Sequence, residues 1–121
     1  MGLYNFQARF VTPILLRTKK HTIRAKRKYP DKPGNILHLY TGLRTKKAML
    51  LRRVTCLKVE EIKIWQSDPN VFEISIDGQI LSRDEGEQLA RADGFDDFVS
   101  MMCFWDGHLP FEGHIIHWAT K

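Results

Sequence analysis

The sequence predicts one α+β domain over residues 1–121, a small mixed β-barrel of about six strands with two or three short flanking helices. Segments with strand-like patterns run through most of the chain, and one is unusually long. Helix-capping patterns accompany only a few short segments. A regular alternation of strands with helices, typical of a parallel α/β sheet, is absent. The chain has 121 residues, which is the length of a single ordinary domain.

The first two elements are predicted to be a strand and a short helix. The stretch YNFQARF, residues 4–10, alternates enough to favour a β-strand. Thr12 can cap a helix, and Pro13 suits the first helical position, where its missing N–H costs nothing. Together they predict a helix over about residues 13–19.

Two further strands follow, separated by a turn. The first is HTIRAK, whose alternation places Thr22, Arg24 and Lys26 on one face. The turn is YPDKPGN, by its Pro and Gly content, and it leads into ILHLYTG, with Leu37 and Leu39 on one face. A basic loop, LRTKK, comes next.

The second half continues with strands. The segment AMLLRRVTCLKVEEIKIW predicts one long bent strand or two, because Glu60 and Glu61 interrupt its period like a bend or bulge. The dipeptide Asp77–Gly78 within VFEISIDGQIL is typical of a tight hairpin. A last strand is predicted from GHIIHWAT.

Two helices are predicted late in the chain. Ser82 with Glu85 forms a capping box, and the helix should run to about Asp93, with Gly94 as its stop. Asp96 can cap a second helix. That helix carries an apolar stripe at i, i+3, i+4 and i+7: Phe98, Met101, Met102 and Trp105.

The charge of the chain is divided between its halves. Residues 1–58 hold 15 Lys and Arg against one acid, and residues 59–121 hold four against 13. The halves can neutralise each other in part, but the clustered cations favour a basic face that meets an anionic partner, most commonly nucleic acid. The alternative is a basic face that is only solvated. Candidate nucleic-acid-binding residues are Lys20, Arg24, Lys26, Arg27, Lys28, Tyr40, Arg44, Lys46 and Lys47.

Several other classes of function are not indicated. No apolar run approaches the roughly 20 residues that span a bilayer, and no signal peptide is evident, so we expect a cytoplasmic protein with reduced Cys56 and Cys103. His114 and His117 lie three apart in a predicted strand and should face opposite ways. No zinc spacing, phosphate loop or nucleophile elbow is present, so no metal and no cofactor are expected. The oligomeric state is left open, with a monomer as the working expectation.

Two residues have environments that could alter their acid–base chemistry. Lys19 lies in a run of cations, and neighbouring cations lower the pKa of a lysine, which is otherwise protonated at neutral pH. Asp93 is predicted at a helix C-terminus, where the helix dipole raises the pKa of a carboxyl group unless a nearby cation offsets the effect.

The order of these segments resembles a known family. FVTPILLRTKKHTIR followed by KPGNILHLYTG resembles the opening of ASCH-domain proteins, relatives of the PUA-like barrels, whose pattern is roughly G-x-K-T-x-T-I-R. The later LARADGFDDFVSMMCFW and FEGHIIHW match the same layout, so the resemblance covers nearly the whole chain. Three positions differ from the pattern: Arg17 stands for the glycine, Lys20 for a threonine, and Asp93 for the glutamate of the hydrolytic members.

The resemblance implies a PUA-like barrel whose basic cleft binds RNA or a modified nucleoside. Some small bacterial members are amidohydrolases that remove the acetyl group from N(4)-acetylcytidine. For such an activity the resemblance implies Thr22 as nucleophile, Lys19 as the base and Asp93 as the proton donor. Our main hypothesis is RNA or nucleoside binding, and the amidohydrolase is the alternative. A further alternative is a single-stranded RNA nuclease that uses Lys19 with His21 or Tyr40.

Overall fold

The structure, a computed structural model, describes residues 2–69 and 71–118. Within these ranges the chain forms a seven-stranded sheet, three α-helices and a short 3-10 helix at Ala8–Phe10. The α-helices are α1 (Val11–Leu15), α2 (Arg83–Ala92) and α3 (Phe98–Trp105). The strands are β1 (Gly2–Phe6), β2 (His21–Ala25), β3 (Ile36–Thr41), β4 (Met49–Asp68), β5 (Val71–Ile76), β6 (Gln79–Ile80) and β7 (Phe111–Trp118).

The 20-residue strand β4 organises the sheet. Its first part pairs with β3, which pairs in parallel with β1, whereas its second part pairs with β5 and β7. Strand β2 pairs with β7, and β6 completes a hairpin with β5. Among the described residues β1 and β2 each pair with one strand only, so the sheet is not closed. The α+β class is confirmed, and the observed sheet is mixed.

Several local predictions are confirmed. Leu37 and Leu39 are fully buried in the core. The long segment forms one strand, and the hairpin turns at Asp77 and Gly78, whose φ angles are 50° and 86°. The capping box of Ser82 is complete in both directions. The last strand ends at Trp118 in the described chain; the predicted extension over residues 119–120 lies outside it.

The N-terminal predictions were wrong in detail. The first strand ends at Phe6, and the chain coils through the 3-10 helix so that Phe10 packs edge-on against Phe95, with 5.7 Å between ring centroids. The helix spans Val11–Leu15 rather than 13–19, and no side chain caps it. Thr12 therefore lies inside the helix and caps nothing.

Two other positions also differ from expectation. The pairing of β4 is irregular at three places, between Leu50 and Arg52, between Cys56 and Lys58 and between Gln66 and Asp68, whereas the two glutamates continue the strand. Helix α3 is capped by Asp97 instead of Asp96, because Asp97 has the extended backbone of a cap and accepts a 2.8 Å hydrogen bond from the Ser100 N–H. The apolar stripe of α3 packs as predicted, with Met101 and Met102 buried.

Candidate functional site

A cavity of about 250 Å³ opens between β1, β2, the end of α2 and the end of α3. Its polar lining comes from Asn5, Gln7, Lys19, Thr22, Arg24 and Asp93, and most of the remaining wall is aromatic. The cavity therefore brings together the three side chains that the family resemblance marks as catalytic.

The backbone before β2 turns the Lys19 side chain inward. Arg17 adopts the left-handed conformation, with φ 65°, at the position where the family pattern has glycine. The N–H groups of Thr18 and Lys19 then both donate to the Pro13 carbonyl, at 3.0 and 3.1 Å. Only 2% of Lys19 is exposed. Its Nζ donates to the backbone oxygen of Asp93 at 2.5 Å and to Asp93 Oδ1 at 2.6 Å.

Asp93 reaches the cavity because α2 ends there. Asp93 is the C-terminal cap residue of α2, and its N–H donates to the Leu89 carbonyl at 2.9 Å. Gly94 then reverses the chain with φ 103°. A Cβ at Gly94 would lie 3.0 Å from Phe10 Cδ1, so the glycine allows both the turn and the close packing.

The environment of this pair controls its ionisation. Burial lowers the pKa of Lys19 below that of a free lysine, although Asp93 opposes the shift. Burial alone would raise the pKa of Asp93, but the charge of Lys19 and the nearby His21 outweigh it and hold that pKa below its ordinary value. Asp93 is thus a carboxylate at neutral pH. Desolvation is the main cause of the lowered pKa of Lys19, and the charge of Arg24 contributes to it.

Arg24 fixes the Thr22 hydroxyl and joins two sheet edges. Its Nε donates to Thr22 Oγ1 at 3.0 Å, and its Nη2 donates to the backbone oxygen of Asn5 at 2.8 Å. The guanidinium lies 4.8 Å from the Phe6 ring centroid. Arg24 thereby bridges β2 to β1, two strands that share no ladder, and leaves the hydroxyl proton of Thr22 free to be donated.

His21 lies behind the cavity. It is 4% exposed, and its Nε2 lies 3.2 Å from Asp93 Oδ1, at ion-pair distance but outside hydrogen-bonding geometry. Sequence reasoning assigned His21 no role with Asp93, because alternation along β2 places it on the face opposite Thr22. Asn5 was also missed, although its polar position between Tyr4 and Phe6 in an alternating strand is the signal that could have found it.

Most predicted nucleic-acid contacts do not line the cavity. Arg24 lines it, whereas Tyr40 is half-buried in β3. The basic loop after β3 is tied to the cavity rim, since the Leu43 N–H donates to Asn5 Oδ1 at 2.9 Å. Seven predicted cations are exposed: Lys20, Lys26, Arg27, Lys28, Arg44, Lys46 and Lys47.

Two exposed cations have weak acidic partners. Lys26 lies 3.8 Å from Glu112, and Arg27 lies 3.9 Å from the buried Asp31. Tyr29, which follows this run, is 82% exposed. The sequence placed Lys26 in β2 beside Arg24, but β2 ends at Ala25, so Lys26 extends into solvent.

Other candidate sites were also compared with the structure. In residues 2–69 and 71–118, no three His, Cys, Asp or Glu side chains are placed to hold a metal ion, and no helix is long and apolar enough to cross a membrane. His117 bonds to Glu60, and its strand neighbour His114 pairs opposite Arg24. A larger groove of about 790 Å³ lies between β5 and helices α2 and α3, with a mainly apolar lining. It contains none of the predicted site residues.

The chain was compared with protein-family models, with curated proteins and with solved structures, and none of them matches it. The relation to ASCH-domain proteins therefore stays a prediction carried by the quoted residues.

Proposed function

We propose that this chain is a PUA-like domain that binds a single modified nucleoside or base in the 250 Å³ cavity. The observation that carries the proposal is the convergence of Lys19, Thr22 and Asp93 on one small hollow with aromatic walls. Aromatic side chains stack on bases, and an amine, a hydroxyl and a carboxylate can read the hydrogen-bonding edge of a base.

The size of the cavity limits the guest. Pockets for drug-sized ligands measure roughly 300–1,000 Å³, so this cavity suits a base or small nucleoside and not a strand. Exposed cations on the same protein, such as those of the LRTKK loop next to Asn5, can hold the phosphates of single-stranded RNA while one base enters. Lys20 directly precedes β2, and the LRTKK loop is tied to the rim by the hydrogen bond from the Leu43 N–H to Asn5 Oδ1.

Fluorescence anisotropy with a short labelled single-stranded RNA, measured over a series of salt concentrations, tests this proposal. Phosphate contacts should make the affinity fall with salt, with a slope of about 0.7 per neutralised phosphate. A variant with Lys46→Ala and Lys47→Ala should reduce that slope. Thr22→Val should weaken binding at every salt concentration and leave the slope unchanged. Wild-type affinity that is independent of salt, or that Thr22→Val leaves unchanged, would contradict the proposal.

A second function is hydrolysis of N(4)-acetylcytidine, favoured by the direct contact between Lys19 and Asp93 beside Thr22. In this reaction Thr22 Oγ attacks the acetyl carbon and gives its proton to neutral Lys19. The bond to N4 breaks as Asp93 protonates that nitrogen, and cytidine leaves. Water then cleaves the acetyl ester of Thr22, which releases acetate and restores the hydroxyl.

The Lys19–Asp93 pair already carries the proton that Asp93 must donate to the leaving nitrogen. A Lys19 ammonium with an Asp93 carboxylate contains as many protons as a neutral amine with a carboxylic acid. One proton shift along the 2.6 Å hydrogen bond interconverts the two forms. Desolvation favours the neutral form when a guest fills the cavity, because burial penalises both charges.

Incubation with N(4)-acetylcytidine followed by chromatography distinguishes hydrolysis from binding. Hydrolysis predicts cytidine and acetate in equal amounts, loss of turnover in Thr22→Val, and retention of some turnover in Thr22→Ser. The matched control is Thr18→Val, because Thr18 is exposed just before the cavity residues. Intact substrate with wild-type protein would exclude this second function and leave nucleoside binding to be judged by calorimetry.

A further inference from the structure

A chain of ionisable groups leads from the buried pair toward the surface. Asp93 Oδ1 lies 2.6 Å from Lys19 Nζ and 3.2 Å from His21 Nε2. The His21 ring packs edge-on against His117, with 5.3 Å between centroids. His117 Nε2 lies 2.6 Å from Glu60 Oε1, where both side chains are partly exposed.

The strand register produces this alignment. His21 and His117 are directly paired residues of β2 and β7, and Lys58 of β4 is paired with His117 in turn. Directly paired residues in a sheet point to the same face. The charged groups that face the two rings are Asp93 from the end of α2, Lys19 from the segment before β2, and Glu60 with Lys58 from β4.

Two imidazoles at this separation resist carrying a charge together. Two like charges near a protein surface repel strongly at such a distance, since the effective dielectric constant is about 20 there. Burial lowers the pKa of His117, and the neighbouring His21 lowers it further, while the hydrogen bond to Glu60 acts the other way. The charge on one ring should therefore depend on the charge on the other.

We propose that His21 is a positioning residue for the Asp93 carboxylate, and that its ring couples Asp93 to the His117–Glu60 pair at the surface. His21 acts with Lys19 to stabilise the Asp93 carboxylate, and the strand register holds His117 directly beside it. Only the effect of this coupling on a bound guest rests on the proposed function, because the coupling itself needs no ligand.

The coupling is tested by NMR titration of the histidine rings in the ligand-free protein. His21→Gln keeps an amide donor near the position of Nε2 but cannot be charged. It should shift the titration midpoint of His117 upward, because the repelling ring charge is gone. Glu60→Gln should shift the same midpoint downward, because it removes the carboxylate that stabilises protonated His117. Both variants should retain the wild-type amide spectrum away from the substitution.

His114→Gln is the matched control, because His114 lies on the same strand three residues away and is paired with Arg24 instead of His21. It should leave the His117 midpoint unchanged. A His117 midpoint that is the same in wild type and His21→Gln would overturn the proposal, as would an equal shift in His114→Gln. Loss of RNA or nucleoside binding would not affect this result, so the two proposals fail separately.

Discussion

Lys19 and Lys20 are adjacent in the chain and lie in opposite environments. Lys19 is 2% exposed and bonded to the Asp93 carboxylate, whereas Lys20 points into solvent. An exposed ammonium keeps its hydration and is screened by salt within about 10 Å at 0.1 M ionic strength. A buried ammonium depends on its partner. The basic run in the sequence therefore divides between two regions of the structure. Lys19 and His21 join Asp93 in a buried cluster, whereas most other cations of the run are exposed.

The difference separates two kinds of chemistry. Exposed cations attract phosphates at long range and release counterions, which gives affinity without selection. The buried cluster can exchange protons at fixed distances, which long flexible side chains in water cannot do reproducibly. Substitutions in the buried cluster and substitutions among the exposed cations should therefore have very different effects on stability.

Asp93→Ala should produce the largest effect, because it leaves the Lys19 charge buried without a partner. Removing one member of a buried pair typically lowers the free energy of unfolding by about 3–5 kcal/mol. Urea denaturation monitored by tryptophan fluorescence measures it. The matched control is Asp96→Ala, an exposed acid three residues later, which should change stability by less than about 0.5 kcal/mol. Similar losses in the two variants would mean that the Lys19–Asp93 contact is not buried in solution.

Gly94→Ala should produce the next largest effect. An alanine at φ 103° is strained, and its Cβ would also press on Phe10 Cδ1 at 3.0 Å. We expect a loss of about 1–3 kcal/mol in the same denaturation experiment. Gly107→Ala isolates the strain, because Gly107 has φ 83° but no atom within 4 Å of its added Cβ. A smaller loss at Gly94 than at Gly107 would argue against the close packing behind Asp93.

Acid should weaken the buried cluster before it affects the exposed cations. The folded-state pKa of Asp93 lies below its ordinary value, so the folded state binds this proton more weakly than the unfolded chain. Its stabilisation is complete above the unfolded pKa of about 3.9 and is lost as pH falls through the folded value. Denaturation midpoints measured from pH 6 to pH 2.5 should fall more steeply in wild type than in Asp93→Asn. Parallel curves would show that Asp93 carries no such stabilisation.

Changes at the exposed cations should have the smallest effect on stability. Lys46→Ala with Lys47→Ala should alter the free energy of unfolding by less than about 0.5 kcal/mol, since neither residue is buried. Calorimetry should show the same for Lys20→Ala, whereas Lys19→Ala should destabilise clearly by leaving Asp93 unpaired. Comparable unfolding temperatures for the Lys19 and Lys20 variants would remove the distinction between the two regions.

The local elements followed from short-range chemistry. The Asp77–Gly78 turn, the Ser82 capping box and the buried face of β3 depend on residues within a few positions of one another, so their patterns could be interpreted directly. The candidate set of Lys19, Thr22 and Asp93 came from the resemblance, and the structure places these side chains around one cavity. Their chemical roles remain predictions.

The sequence alone determined the α+β class, most elements and the uneven charge of the chain, because alternation, capping and turn residues act locally. Only the tertiary structure decided which lysine is buried and where the first strand ends so that Phe10 can pack against Phe95. It also brought His21 next to Asp93, 72 residues away in the chain. Those outcomes depend on contacts between distant segments. Desolvation and partner charge at such contacts are set by the assembled fold, and no local pattern encodes them.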